Sequence, residues 1–162
     1  MKTGWWQTFR ARGGGWVLVQ LPVLLALIVT PLKTGAALVL WPATHPLQIA
    51  GMLAVLVGIG LGLASALTLR RALTPFPRPL AGAPLKQSGV YAWVRHPMYA
   101  GVLLAALGWS AWCLSTAGVL VTLGAAVFFD RKASREEAWL TAHHPEYRAY
   151  CKRVKKFLPG IY

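Results

Sequence analysis

Residues 46–69 read PLQIAGMLAVLVGIGLGLASALTL, and this run decides the fold class. It carries no Lys, Arg, Asp or Glu, over a length that suffices for the ~20 apolar residues needed to cross ~30 Å of hydrocarbon. Its Gly51, Gly58, Gly60, Gly62, Ala64 and Ser65 are small enough for a neighbouring helix backbone to come close, so this helix is expected at the centre of a bundle. Upstream, Gly15 to Leu32 is a second apolar stretch, in which Pro22 is expected to kink a membrane helix without ending it. Downstream, Met98 to Cys113 and Thr116 to about Thr141 are separated by so little chain that they should form a tight helical hairpin. The first of these rises only about 24 Å. The second is too long for the bilayer alone, and its last turns should project into water. The expected fold is all-α: a multi-pass integral membrane bundle of about four transmembrane helices with a cytoplasmic C-terminal helix. It is read as one domain over 1–162, with two N-terminal spans in 1–72 and the hairpin and tail in 73–162.

Composition agrees. Of 162 residues, 56% are hydrophobic and 13% charged, about half the charged share of a soluble domain. The net charge of +13 would suit nucleic acid, but the apolar runs are too long and uniform for a soluble DNA-binding domain. No nucleic-acid partner is expected, and the basic residues are assigned to anionic lipid headgroups. Sixteen of the seventeen Lys and Arg fall on one side of the four spans, with Lys33 alone between the first two. The positive-inside rule then puts both termini in the cytoplasm. The basic start from Lys2 to Arg12 and the apolar run from Trp16 resemble the opening of a signal peptide. No small-residue cleavage site precedes Pro31-Leu32-Lys33, so the first helix is expected to be retained. The high Ala, Gly, Leu and Arg content points to a bacterial inner membrane. Trp5, Trp6, Trp16 and Trp41 are read as interface residues. Cys113 and Cys151 show no disulfide or metal pattern, His45 lies in the outward loop, and His143-His144 beside Glu146 match no common metal spacing, so no metal is expected.

Leu73 to Leu85 contains Pro75, Pro77, Pro79 and Pro84 and reads as an extended linker. Glu146 to Phe157 reads as a short surface helix, with Tyr147, Tyr150, Val154 and Phe157 recurring at threes and fours. The chain has only four acidic residues, Asp130, Glu136, Glu137 and Glu146. On the last long helix Thr122, Ala125, Phe129, Ala133, Glu136 and Leu140 share one face. That places Glu136 below a packed surface, where a carboxylate usually has a cationic or hydroxyl partner. The plainer alternative is that Glu136 and Glu137 balance Arg131, Lys132 and Arg135 on a solvated helix end. Where the chain re-enters the membrane, Arg95 and His96 precede Pro97, which suits the first turn of a helix. Free amide groups at that helix start would favour an anionic ligand group, although Arg95 and His96 could equally meet lipid phosphates.

The string GVYAWVRHPMYAG (89–101), followed by REEAWL (135–140) and PEYRAYCKRV (145–154), resembles the isoprenylcysteine carboxyl methyltransferases and related membrane methyltransferases. The resemblance covers about Pro84 to Pro159. It implies an S-adenosylmethionine-dependent enzyme built inside a helix bundle, with 73–162 as its cofactor-binding part. Carried over by matching position, the cofactor contacts are Tyr91, His96, Pro97, Met98, Tyr99 and Glu136, with Pro84, Leu85 and Lys86 as another wall. Arg95, His96 and Glu137 are the candidate catalytic residues. In the isoprenylcysteine enzymes an arginine on the substrate side precedes the matching glutamate by four residues. Here that position is Lys132, with Arg131 beside it, and Lys cannot make the bidentate Arg–carboxylate pair. The implied acceptor is lipophilic or adjacent to the membrane. A carboxylate or thiolate acceptor needs no general base, whereas an amine would need His96 or Glu137. An NADPH-dependent sterol-type reductase shares an RHP segment and is the alternative enzyme; a non-catalytic accessory protein is the other.

Overall fold

A computed structural model describes residues 4–36, 45–78, 80 and 82–162. Lys2, Trp41 and Pro79, singled out in the sequence, lie outside the described residues. Six α-helices follow one another: α1 (Trp5–Ala11), α2 (Gly14–Thr34), α3 (Pro46–Leu69), α4 (Pro97–Trp112), α5 (Thr116–His143) and α6 (Tyr147–Arg153). Among the described residues there is no strand, only a parallel bridge between Val94 and Lys155. The four apolar stretches appear as α2 to α5, and α3 has the bounds that its sequence suggests. Of these, α2 and α3 are long and apolar enough to cross a membrane.

Local chemistry sets the ends. Pro46 opens α3, the His45 ring accepts from Leu47 N–H at 3.2 Å, and His45 N–H donates to Gln48 Oε1 at 3.3 Å, a reciprocal cap of the first turn. Pro97 likewise opens α4, without a side-chain cap. Between α4 and α5, Leu114 takes the left-handed region at φ 53°, and Ser115 caps α5 by accepting from Gly118 N–H at 2.9 Å. α2 continues through both Pro22 and Pro31. A short 3-10 turn at Arg70–Ala72 follows α3, and the described residues of the Pro-rich linker beyond it carry no helix.

α1 has no counterpart in the sequence reading. It turns into α2 at Gly13, whose φ of 83° is open to glycine and strained for other residues. Its exposed Trp5 and Trp6 pack against Phe9. Phe9 in turn meets Phe76 edge-on at 5.8 Å, and the Arg12 guanidinium lies 4.4 Å above the Phe76 ring. The linker is thereby strapped to the N-terminal end of α2.

The expectation that α3 sits at the bundle centre is corrected. α3 packs chiefly on α4, and α4 is the helix that also meets α2 and α5. The reason is that only part of its small-residue stripe is used. A Cβ on Gly51 would lie 2.5 Å from the Gly108 carbonyl, and one on Gly58 would lie 2.5 Å from the Gly101 carbonyl. Gly60 faces open space, and Leu53, Leu56, Val57, Ile59, Leu63 and Leu67 are exposed. On the far side of α4 a core of Leu27, Ala106, Ala125 and Phe129 joins α2, α4 and α5.

α5 has 28 residues against 16 in α4, so it overhangs its partner by about 18 Å. Thr122, Ala125, Phe129 and Ala133 are buried, as the helical line predicts. The tail departs from expectation. α6 covers only Tyr147–Arg153, and the chain is extended at Val154 (φ −115°, ψ 131°). The reason is the bridge to Val94, which takes the backbone out of the helix and buries Val154 and Phe157 instead of leaving them on a surface stripe.

Candidate active site

The overhang of α5, the corner before α4, the linker and the tail enclose a cavity of roughly 350 Å3, within the range of about 300–1,000 Å3 usual for small-molecule sites. The corner is built first. A 3-10 turn at Gly89–Ala92 buries Tyr91, and its entry at Gly89 has φ 60°. The Tyr150 hydroxyl donates to the Tyr91 carbonyl at 2.5 Å. Next, Arg95 N–H and His96 N–H donate to the carbonyls of Lys155 and Lys156 at 2.8 and 3.0 Å. Pro97 then starts α4.

The side chains of this corner close on α5. Arg95 Nε donates to Glu137 Oε1 at 2.8 Å, and His96 Nε2 lies 3.0 Å from the same oxygen. Arg95 also donates to the carbonyls of Cys151 at 3.3 Å and Val154 at 2.5 Å. One residue earlier on α5, Glu136 Oε2 accepts from the Tyr99 hydroxyl at 3.2 Å. His96 Nδ1 stands 3.9 Å from it, too far for a hydrogen bond. The His96 and Tyr99 rings are parallel, 5.6 Å apart. Glu136 Oε1 accepts no hydrogen bond among the described residues.

The two carboxylates therefore differ. Burial works to raise the Glu137 carboxyl, but His96 and Arg95 override it and hold it down at about 2. Burial raises the Glu136 carboxyl, and His96, Tyr99 and Lys132 offset only part of that rise. Glu137 is a committed structural anion; Glu136 keeps acceptor capacity facing the cavity.

Of the residues expected at the site, Pro84, Leu85, Lys86, Tyr91, Arg95, His96, Met98, Tyr99, Lys132 and Glu136 line the cavity. Pro97 is buried at the helix start, off the cavity surface. Glu137 also lies behind the wall, its Oε1 shared by Arg95 and His96. Arg131 is exposed and does not reach the cavity, because one step along α5 turns it about 100° from Lys132. Lys132 is buried and is not paired with Glu136 by a hydrogen bond. Its ammonium donates to Gln20 Oε1 and to the Pro75 carbonyl, the latter at 2.8 Å. The Arg95 and His96 amides go to the tail, and the Arg95 guanidinium goes to Glu137 Oε1 and to the carbonyls of Cys151 and Val154.

Gln20 on α2 and His144 line the cavity without having been expected there, while Leu73 to Pro75 of the Pro-rich linker and Tyr147 and Tyr150 of the tail close it. A lone Gln in an apolar helix was a usable signal, since polar groups in a membrane helix need a partner.

The family model described as phospholipid methyltransferase matches residues 47–146. The protein-S-isoprenylcysteine O-methyltransferase of Mus musculus is 39% identical over 86 residues, which is 48% of this chain and 28% of that relative. The Rattus norvegicus protein of the same name matches with the same identity and coverage. The matched stretch thus spans under a third of those relatives' length.

Proposed function

The chain belongs to the phospholipid methyltransferase family, and from that premise we propose that it transfers a methyl group from S-adenosylmethionine to a lipophilic acceptor delivered by the bilayer. One observation carries the reading. Stretches separated by 32 residues, Pro84 to Tyr99 and Lys132 to Leu140, converge on one cavity. These are the stretches that hold the motif residues shared with membrane methyltransferases.

The chemistry of the lining suits such a cofactor. Glu136 keeps an oxygen free to accept from ribose hydroxyls or from the amino group. Tyr91 and Tyr99 offer aromatic faces, and Leu69, Leu73, Leu85 and Leu140 offer apolar ones. Bound there, the cofactor would supply a methyl group on a sulfonium centre, open to in-line displacement. Alignment and exclusion of water, supplied by this enclosure, provide much of the rate in such reactions. Glu137 orients His96 and Arg95 and does not meet the ligand. His96 and His144 are the imidazoles at the wall that could take a proton from an amine acceptor.

In this reading α2 to α5 all cross the bilayer, with the α5 overhang, the corner and both termini on the cytoplasmic side of a bacterial inner membrane. The basic residues around the overhang support that orientation. The exposed apolar faces of α2 and α3 are lipid-facing, and the acceptor enters from the membrane. The test is radiolabel transfer from S-adenosyl-[methyl-3H]methionine into an organic extract of bacterial membranes. Label in the extract that depends on the protein is expected; none, from a folded sample, would sink the proposal.

A further inference from the structure

Lys156 is a buried lysine that lies outside the cavity, and its two ends reach two different parts of the site. Its ammonium donates to Asp130 Oδ1 at 2.6 Å and to Ser134 Oγ at 2.9 Å, one turn apart on α5. The Tyr162 hydroxyl donates to the same Asp130 oxygen at 2.9 Å. At its other end the Lys156 carbonyl accepts the His96 N–H at 3.0 Å, next to the Lys155 carbonyl that accepts from Arg95. The Phe157 ring packs 5.9 Å from the His96 ring.

Taking an ammonium out of water is unfavourable unless its hydrogen bonds are met. The two hydrogen bonds to α5 meet that need and fix where the tail sits on the helix. Asp130, Ser134 and Glu137 are spaced by four and three and form one stripe on α5. The first two grip the tail through Lys156, and the third grips the corner through Arg95 and His96. The corner is therefore fixed to α5 twice, once through the Glu137 side chain and once through the tail backbone.

We propose that Asp130 and Lys156 are positioning residues: through the tail they set the separation of the Arg95–His96 corner from α5, and so the distance of His96 from Glu136 and Glu137. They touch neither cofactor nor acceptor. The inference rests on the reading of the cavity as an S-adenosylmethionine site.

The experiment uses the full chain in detergent, with S-adenosylhomocysteine as probe in calorimetry. In parallel, 15N imidazole spectra report on His96, assigned through His96→Gln. Lys156→Met and Asp130→Asn should each weaken binding about tenfold, the scale of one charged hydrogen bond, and should move the His96 resonances while helix content is kept. Lys156→Arg should restore both readouts, which a general loss of packing would not allow. If either disruptive variant fails to fold, Tyr162→Phe removes one of the Asp130 contacts and should move the same resonances less. Wild-type affinity and unmoved His96 resonances in Lys156→Met would overturn the proposal, as would failure of Lys156→Arg to restore them. If the wild type itself binds no probe, the cofactor reading falls, and the His96 resonances still decide the positioning role.

Discussion

α4 has two kinds of neighbour along its length. Against α3 it presents Gly101 and Gly108, which face Gly58 and Gly51 with backbone against backbone. At its N-terminal end it meets the α5 overhang through Arg95, His96 and Tyr99 against Glu137 and Glu136. The first contact is a matter of volume and the second of charge. A seam between apolar helices in lipid has no hydrophobic driving force and depends on close approach. The overhang contact depends on each donor finding its acceptor, since a partly buried charge left alone is costly. Perturbations of the two regions should accordingly be separable.

The largest effect is expected at the seam. Gly58→Leu drives a side chain into the Gly101 carbonyl and should cost about 3 kcal/mol or more, read as a fall in the thermal midpoint of the detergent-solubilised protein. Whatever fraction stays folded should bind S-adenosylhomocysteine normally. Next, Glu137→Gln leaves Arg95 and His96 without their anion and should cost about 1–3 kcal/mol. Here binding should weaken together with stability, which distinguishes it from the seam variant.

Acid should separate the regions again. The Glu137 carboxyl is held at about 2 in the folded protein, below the ~4.3 of a free glutamate. Its contribution is fully present above that free value and is lost as pH falls through the folded one. The stability gap between wild type and Glu137→Gln should therefore be constant at neutral pH and shrink below about 4. The gap between wild type and Gly58→Leu should not close over the same range. The smallest effect is expected from Gly60→Ala, which enters open space. It should leave binding unchanged and alter stability by at most about 1 kcal/mol, in the favourable direction.

The seam and the overhang were also unequally legible in the sequence. Run length and small residues located α3 to its bounds, because the bilayer sets helix length and glycine marks close approach. They did not say which glycines are used, and Gly60 and Gly62 look no different from Gly51 and Gly58 until a partner helix is present. At the site, the helical line through Phe129 and Ala133 correctly turned Glu136 toward the cavity. The commitment of Glu137 to Arg95 and His96 could not be read, since that pairing spans more than forty residues and depends on the tail bridge. The same bridge defeated the reading of the tail as helix to Phe157, because local periodicity cannot register a partner strand. Gln20 and Lys132 are 112 positions apart, so their pairing could not be read from either alone.

The central claim is that Glu136, the carboxylate that lines the cavity, holds the cofactor there. Calorimetric titration of the purified protein with S-adenosylhomocysteine tests it most directly. The account predicts binding by the wild type and a loss of roughly tenfold to a hundredfold in Glu136→Ala, with helix content and thermal midpoint kept. Equal affinity in the two proteins, or no binding by a folded wild type, would contradict it.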